Sequence, residues 1–186
     1  MNTNMTIIDV GVISRNIIGS DLMFLREQGA KIRAAIEPLI HNAEHDVVAL
    51  DFSNVKALDF SCSDEVVVFF QEHVNNLKGK GLVLQNLSKN HIENILIALD
   101  RKKQAIWYYN GSYWTLLGEK LPKHLTELAQ VIREKKTITA RQLADELNED
   151  INSQSTKLKK LYDHGLVRRI EEKSSEGAQY IYKSLV

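Results

Sequence analysis

The chain contains a single cysteine, Cys62, and only two prolines among its 186 residues. One cysteine excludes an intrachain disulfide framework, so folding must depend on a packed apolar core. Hydrophobic residues make up 44% of the chain, which is enough to bury such a core. The sequence has no N-terminal signal and no apolar run long enough to span a membrane. We therefore expect a cytoplasmic protein with no membrane partner.

Motifs for metal binding and catalysis are also missing. The six histidines are scattered, and His41 and His45 are separated by a predicted helix end at residues 42–43. No glycine-rich phosphate loop is present, and no nucleophile lies near a recognisable base. Asp51 and Asp59 each follow an apolar run, as catalytic carboxylates often do, but neither has a partner motif. We expect no metal, no cofactor and no enzymatic activity.

The chain also lacks any excess of charge of one sign, since 24 basic residues balance 24 acidic ones. Residues 121–186 contain 12 basic and 10 acidic residues, whereas the remainder contains 12 basic and 14 acidic. The C-terminal part is thus slightly basic, which is the sign expected of a nucleic-acid-binding module. Because the long-range field is small, any such affinity would depend on a local patch.

Strand-like and helix-like segments alternate through the N-terminal part, which predicts βαβ units and a mostly parallel sheet. Ser63 and Ser88 are the predicted N-caps of two of the helices. We predict strands at residues 5–13, 47–52 and 82–84, and helices at residues 21–39, 63–77 and 88–100.

An aromatic hairpin is predicted next, because residues 105–109 and 112–117 flank Asn110-Gly111. A free two-stranded hairpin is barely stable, so this one must pack on something. Its first strand is expected to complete the sheet. Its second strand would cover an edge, brace the C-terminal module or pair with another protomer. We favour packing at a domain interface over base stacking for its aromatic residues, which are Trp107, Tyr108, Tyr109, Tyr113 and Trp114.

Residues 1–110 resemble a STAS domain, the fold of anti-sigma-factor antagonists. The likeness rests on residues 50–61, on the amphipathic helix that follows them, and on residues 82–100. It is closer still to a small STAS-like regulatory module, in which an arginine (here Arg26) opens the first long helix. A serine-rich loop bearing Asp and Glu (here residues 61–65) opens the second helix.

The STAS likeness implies a regulatory loop of Asp59, Ser61 and Ser63. In the antagonists, an Asp-Ser-Ser-Gly loop is phosphorylated on its first serine. Asp59 and Ser61 match that motif, whereas Phe60 takes the place of the phosphoacceptor and Cys62 that of the glycine. Either Ser61 or Ser63 would then accept the phosphate. The alternative is that Ser63 is only a helix cap and that Ser61 is a loop residue that satisfies backbone groups.

Two short helices separated by a polar turn are predicted near the C-terminus. Thr139 is the expected N-cap of the first, with Leu143, Ala144 and Leu147 on its apolar face, and residues 148–150 interrupt the pattern. Asp150 or Asn152 caps the second. Gly165 ends the second helix, and two strands (166–170 and 178–182) then form a hairpin around residues 172–177. The apolar face of the second helix consists of Ile151, Leu158 and Leu161.

The opposite face of this second helix carries the residues expected to contact duplex DNA. Small polar side chains at a helix start suit base edges, and basic side chains suit phosphates. For each basic residue the alternative is an ordinary solvated surface. The base-edge candidates are Asn152, Ser153, Ser155 and Thr156. The phosphate candidates are Lys157, Lys159, Lys160, Arg141 at the start of the first helix, and Arg168 and Arg169 on the following strand.

Residues 143–169 resemble the winged helix of MarR-type and ArsR-type repressors, and a preceding helix at residues 125–134 would extend the likeness to about a third of the chain. Gln154 departs from the family, which usually buries Val or Ile there. Ile151 would then fill the space, or the helix would pack loosely. The tip of the hairpin also departs, because Glu171, Glu172 and Glu176 are acidic where a DNA-binding wing is usually rich in arginine.

The sequence thus predicts a STAS-like α/β domain (residues 1–118) followed by an α+β winged helix-turn-helix (residues 119–186). The expected function is that of a homodimeric transcription regulator. The winged helix would bind duplex DNA, and the STAS-like domain would sense a partner or ligand. The alternative is a protein-interaction switch of the anti-sigma-factor-antagonist type without DNA binding. Its partner would be a kinase-like ATPase or a sigma-factor regulator, and the acidic hairpin tip and the neutral net charge favour it.

Overall fold

The computed structural model describes residues 5–77, 79–174 and 177–186. The chain divides into two compact units, Met1–Lys120 and Leu121–Val186, which we call unit 1 and unit 2. Within the described residues, none of the helices has both the length and the apolar character needed to cross a bilayer. Two residues of the predicted hairpin tip, Ser175 and Glu176, lie outside the described residues.

Unit 1 alternates strands and helices. Between its helices α3 and α4 the chain forms a π-helical segment, Asp64–Val68, and α4 is followed by a 3-10 turn, Val74–Asn76. The strands are β1 (Met5–Asp9), β2 (Leu22–Met23), β3 (Val47–Asp51), β4 (Ala57–Leu58), β5 (Gly81–Gln85), β6 (Ala105–Tyr109) and β7 (Trp114–Gly118). The helices are α1 (Val10–Ile18), α2 (Arg26–His41), α3 (Phe60–Ser63), α4 (Phe69–Glu72) and α5 (Lys89–Arg101).

The main sheet of unit 1 has the strand order β1-β3-β5-β6-β7. The first four strands are parallel, and β7 pairs antiparallel with β6, so unit 1 is a mixed α/β structure. Alternate strand residues such as Ile8, Leu50 and Leu84 join one buried core with helix residues such as Ile36 and Ile95. Because strand side chains alternate between faces, this register directs one apolar set toward the helices.

The first strand is shorter than its sequence indicates. Residues 5–13 were predicted as a strand, and they include the β-branched Val10, Val12 and Ile13. The strand ends at Asp9 instead, where the Asp9 carboxylate accepts a hydrogen bond from the backbone N–H of Val12 at 2.8 Å. This cap starts α1, so a local side-chain contact overrides the strand propensity of the following residues.

The region predicted as a regulatory loop is helical, which corrects that expectation. Asp59, not Ser63, caps the helix, since its carboxylate accepts from the N–H of Cys62 at 2.8 Å. Ser61 and Ser63 both lie within α3. Ser63 is fully buried, and its hydroxyl donates to the Asp59 carbonyl at 2.9 Å. The predicted cap, Ser63, is instead the last residue of the helix that Asp59 starts.

Two other predictions for unit 1 are confirmed. Ser88 caps α5 by accepting from the N–H of His91, whose ring accepts in turn from the N–H of Ser88. The aromatic hairpin is formed by β6 and β7, with β6 completing the parallel sheet and β7 lying at its edge. The side-chain oxygen of Asn110 accepts from the N–H groups of Ser112 and Tyr113, both at 3.0 Å, which closes the turn.

Unit 2, within its described residues, is built from three helices and a small antiparallel sheet of strand order β8-β10-β9. The strand β8 was not predicted, because only three residues separate the end of α6 from the cap of α7. The helices are α6 (Lys123–Lys135), α7 (Ala140–Leu147) and α8 (Ile151–Asp163). The strands are β8 (Thr137–Thr139), β9 (Val167–Ser174) and β10 (Gly177–Ser184).

Replacement of Gly11 by alanine tests the packing of α1 in unit 1. A Cβ atom at Gly11 would lie 2.2 Å from the carbonyl oxygen of Asn54, so the backbone would have to move. We expect Gly11→Ala to lower the free energy of unfolding of unit 1 by about 3 kcal/mol. Both tryptophans, Trp107 and Trp114, lie in unit 1, so tryptophan fluorescence during urea unfolding reports on this unit.

Gly19→Ala is the matched control. Gly19 has φ of +71°, but a Cβ atom at this position would have no atom within 4 Å, so only backbone strain of about 1 kcal/mol is expected. Equal losses of unfolding free energy in Gly11→Ala and Gly19→Ala would contradict the close approach of α1 to Asn54.

Candidate nucleic-acid interface

The first helix of the predicted motif, α7, starts at a reciprocal cap. The Thr139 hydroxyl oxygen accepts from the N–H of Gln142 at 3.2 Å, and the Gln142 side chain accepts from the N–H of Thr139 at 2.9 Å. This capping box satisfies two backbone donors at once and confirms Thr139 as the N-cap. The helix ends at Asn148, which adopts the left-handed conformation with φ of +51°.

The second helix, α8, is capped by Asp150, one of the two residues the sequence left open. The Asp150 carboxylate accepts from the N–H of Ser153 at 2.8 Å. At the other end, Gly165 has φ of +68°, and the N–H of Leu166 donates to the Leu161 carbonyl at 3.0 Å. The two ends therefore fix both the length of α8 and its connection to β9.

The buried side of α8 consists of Gln154, Leu158 and Leu161, all fully buried. Two residues predicted for apolar faces are exposed instead. Ile151 is 40% exposed and Leu147 is 52% exposed. Residues 154, 158 and 161 follow the i, i+4, i+7 spacing of one helix face, and Ile151 falls at the margin of that stripe. Gln154 itself occupies the space usually filled by Val or Ile, so the expectation that Ile151 would fill it is wrong.

Gln154 is a buried polar residue, and only the nitrogen of its side-chain amide has a hydrogen-bond partner among the described residues. Its amide nitrogen donates to the Glu149 carboxylate, which also accepts from the Lys157 ammonium at 2.9 Å. The Gln154 side-chain oxygen has no hydrogen-bond partner among the residues that the structure describes. The pKa of Glu149 is lowered, first by the hydrogen bond from Lys157 and also by that from Gln154. Lys157 is therefore drawn back toward the turn before α8.

The outward side of α8 is polar and open to solvent. Its lysines differ in their pairing: Lys159 contacts Asp163 at 2.6 Å, whereas Lys160 has no ion pair within the described part of the chain. The Thr156 hydroxyl donates to the Asn152 carbonyl at 2.9 Å. The exposed sequence-predicted residues here are Asn152, Ser153, Ser155, Thr156, Lys159 and Lys160, with Lys157 half-buried.

The three predicted arginines occupy different environments. Arg141 is exposed in the first turn of α7 and forms no ion pair with the described residues. Arg168 and Arg169 are half-buried on β9. The Arg169 guanidinium lies 4.2 Å from the ring centre of Tyr162 and 4.3 Å from that of Tyr180. It joins α8 to the hairpin by two cation–π contacts, a role that the sequence did not indicate.

Acidic side chains also occur on the other elements of unit 2. On β9, Glu171 and Glu172 are exposed, and Glu172 accepts a hydrogen bond from Gln179 at 2.7 Å. On α7, Glu146 pairs with Lys135 at 2.9 Å. The basic and acidic groups of unit 2 are therefore interleaved. The charge available to an anionic ligand is concentrated on few side chains.

Unit 1 contains a separate ion-pair network, centred on Arg26. Its guanidinium donates to Asp64 and to Glu65, both at 2.7 Å, and thereby ties α2 to the π-helical segment. Arg33 contacts the other oxygen of Glu65 at 3.1 Å and lies 3.9 Å from the ring centre of Phe69. The likeness to the STAS-like module had pointed to Arg26, Asp64 and Glu65, but no sequence pattern indicated Arg33.

The chemistry near α3 does not favour a reactive thiol. Cys62 is buried, and its sulfur donates to the Leu25 carbonyl at 3.1 Å. Burial, followed by the negative charge of Asp59, raises the pKa of the thiol to about 12. Among the described residues, no group of three or more His, Cys, Asp or Glu side chains could hold a metal ion.

Comparison with protein-family models, with curated proteins and with solved structures finds no match to this chain.

Replacement of Gln154 by methionine tests the packing of α8. Methionine has a similar volume and no polar oxygen to bury, so the cost of the unpartnered amide oxygen disappears. We expect Gln154→Met to raise the free energy of unfolding of unit 2 by about 1 kcal/mol. For a unit of this size, this corresponds to a rise of roughly 4–8 °C in its calorimetric melting temperature.

The control is Gln154→Glu, which adds a buried charge facing Glu149 and should destabilise unit 2. A methionine variant that is less stable than the wild-type chain would show that the hydrogen bond to Glu149 outweighs the unpartnered oxygen.

Proposed function

We propose that this chain is a DNA-binding transcription regulator whose unit 2 is a winged helix-turn-helix. The observation that carries the proposal is the outward face of α8, an exposed run of amide, hydroxyl and ammonium groups. Helix α8 comes after the capped helix α7 and a tight turn. The two-stranded hairpin of β9 and β10 comes after α8. Such a helix fits the major groove, which is about 12 Å wide. Helix-turn-helix proteins read base edges with the N-terminal residues of the second helix.

The proposal assigns a sensing role to unit 1 as a STAS-like domain. Its mixed sheet with α2, α3, α4 and α5 against one apolar face is consistent with that likeness. The network around Arg26 is internal to unit 1 and provides a charged feature that a ligand or protein could disturb.

The regulator acts as a homodimer in this proposal. Two copies of α8 would then enter successive major grooves, about 34 Å apart, and read a near-palindromic site.

The ion pairs on α8 lead to a distinctive expectation for its phosphate contacts. A lysine already paired with an acid releases few counterions when it meets a phosphate, because its charge is partly neutralised. Lys159 is paired with Asp163, whereas Lys160 and Arg141 have no ion pair within the described residues. Lys160 and Arg141 are therefore the main sources of salt-dependent affinity in this surface.

Substitution of single lysines tests the DNA-binding proposal. We expect Lys160→Ala to weaken duplex binding and to lower the slope of log K against log salt by about 0.9, the value for one phosphate contact. Lys159→Ala is the matched control on the same helix. Its slope of log K against log salt should differ much less from that of the wild type. Fluorescence anisotropy with a labelled duplex across a salt titration measures both quantities.

Absence of binding by the wild-type chain at low salt would overturn the DNA-binding proposal. Equal slopes for the wild type and Lys160→Ala would remove this face of α8 from it.

A second candidate function is a protein-interaction switch without DNA binding. It is favoured by an exposed apolar segment in unit 1, where Phe24 is 48% exposed and Leu25 is 60% exposed. The N–H of Asp59 donates to the Met23 carbonyl at 2.8 Å, so this segment lies beside the start of α3. STAS antagonists carry their phosphorylated loop at the corresponding point. A kinase-like ATPase or a sigma-factor regulator would be the partner.

Affinity capture separates the two functions. The switch would retain a protein partner in stoichiometric amount, and a variant with Phe24→Ser and Leu25→Ser would lose it while keeping its fold. Retention of that partner by a chain that shows no duplex affinity at low salt would favour the switch. Duplex affinity that the double variant retains would favour the regulator.

A further inference from the structure

The outermost line of α8 consists of Asn152, Thr156, Lys159 and Asp163, and Asp163 forms an ion pair with Lys159. At 100° per residue these positions point away from the buried Gln154, Leu158 and Leu161. Asn152 and Thr156 are one turn apart, about 6 Å along the helix axis, which matches one to two base-pair steps of about 3.4 Å. Both lie in the N-terminal half of α8, where a recognition helix meets base edges.

Thr156 presents a methyl group, because its hydroxyl is already engaged. That hydroxyl donates to the Asn152 carbonyl at 2.9 Å within the helix. With the oxygen held against the backbone, the other branch of the side chain, the methyl group, is the part available to a ligand. A threonine methyl is one of the apolar groups that contact the C5-methyl of thymine in the major groove.

Asn152 presents a free carboxamide. Its side chain is exposed and has no hydrogen-bond partner among the described residues, since the bond from Thr156 goes to its backbone carbonyl. A carboxamide offers one donor and one acceptor side by side, which match N7 and the N6 amino group of adenine.

Helix α8 has few side chains suited to recognising guanine. Recognition of guanine usually requires an arginine or lysine donor aimed at O6 and N7. No arginine occurs in residues 151–163, and the ammonium groups of Lys157 and Lys159 are paired with Glu149 and Asp163. Lys160 lies in the last turns of α8, where phosphate contact is the expected role.

We propose that α8 reads adenine–thymine base pairs in the major groove. Asn152 hydrogen-bonds the adenine edge, and the Thr156 methyl group contacts the C5-methyl of thymine in the same or a neighbouring pair. This inference depends on the proposed function, because it requires that unit 2 binds duplex DNA.

Selection from a randomised duplex pool is the first part of the test. The full-length chain is immobilised, and the retained duplexes are sequenced. We expect enrichment of A·T pairs at the positions nearest the centre of each half-site. For the enriched duplex, Asn152→Ala should lower affinity by roughly tenfold and relax selection at the adenine position.

A methyl-deletion cycle is the second part. Thr156→Ser removes only the methyl group and keeps the hydroxyl, and replacing thymine by deoxyuridine removes only the methyl group of the base. Each change alone should weaken binding about three- to fourfold, as expected for one buried methyl group. Combining them should weaken binding no further than either does alone. Thr156→Val, which keeps both branches without the hydroxyl, should bind like the wild type. Melting of each variant, followed by circular dichroism, checks that its fold is intact.

The outcomes separate this inference from the proposed function. If no duplex of the pool is retained, both are overturned. If duplexes are retained with no base preference or with G·C enrichment, the inference is overturned and DNA binding stands. If the losses of binding free energy from Thr156→Ser and from deoxyuridine are fully additive, the proposed methyl contact is also overturned. A·T enrichment together with a non-additive cycle supports the inference.

Discussion

The three-residue turn between α7 and α8 is the constraint on which the functional account depends. Asn148 adopts the left-handed conformation, and Asp150 caps α8, so the direction and starting point of α8 are fixed within a few bonds. Rotation of α8 by one residue would place Lys159 at a buried position and expose Leu158. Burying an ammonium group without a partner costs several kcal/mol, so this register is strongly preferred. The polar face therefore points outward because of packing and not because of any ligand.

Under the proposed function, the electrostatics of unit 2 favour selective recognition of base edges over general attraction to phosphates. Asp150 caps α8, and Glu149 and Asp163 pair with two of its three lysines, so the surface carries little net charge. Phosphate contacts supply most non-specific affinity and its salt dependence. Under the proposed function, a surface with few unpaired cations must obtain a larger share of its binding free energy from base edges. The carboxamide of Asn152 and the methyl group of Thr156 are groups suited to that role.

Local signals in the sequence predicted the parts of the structure that short-range interactions control. The caps at Thr139 and Ser88 and the hairpin around Asn110 depend on contacts three residues apart or fewer, and all three are confirmed. Ser63 was predicted as the N-cap of the helix that follows β4, and this prediction is wrong, because Asp59, four residues earlier, provides the cap.

Long-range arrangements were beyond sequence reasoning. The contacts of Arg26 with Asp64 and Glu65 join residues almost forty positions apart. Gln154 is buried although it is polar, because its spacing to Leu158 and Leu161 places it on the core side and Glu149 accepts its hydrogen bond. The exposure of Ile151 has the same origin. The sequence placed it on one face with Leu158 and Leu161, but the buried stripe is centred on Gln154, Leu158 and Leu161, and Ile151 lies at its margin.

Alkylation of a cysteine introduced on the outward face of α8 is the most direct measurement of the central claim. The native Cys62 is buried with a pKa raised to about 12, so an added exposed thiol would be the only rapidly reacting site. Ser155→Cys places that thiol beside Asn152 and Thr156, and Ile97→Cys provides an exposed control on α5 of unit 1. We predict that saturating duplex slows alkylation at position 155 at least tenfold and leaves position 97 unchanged. An unchanged rate at position 155, with the duplex bound, would contradict the account.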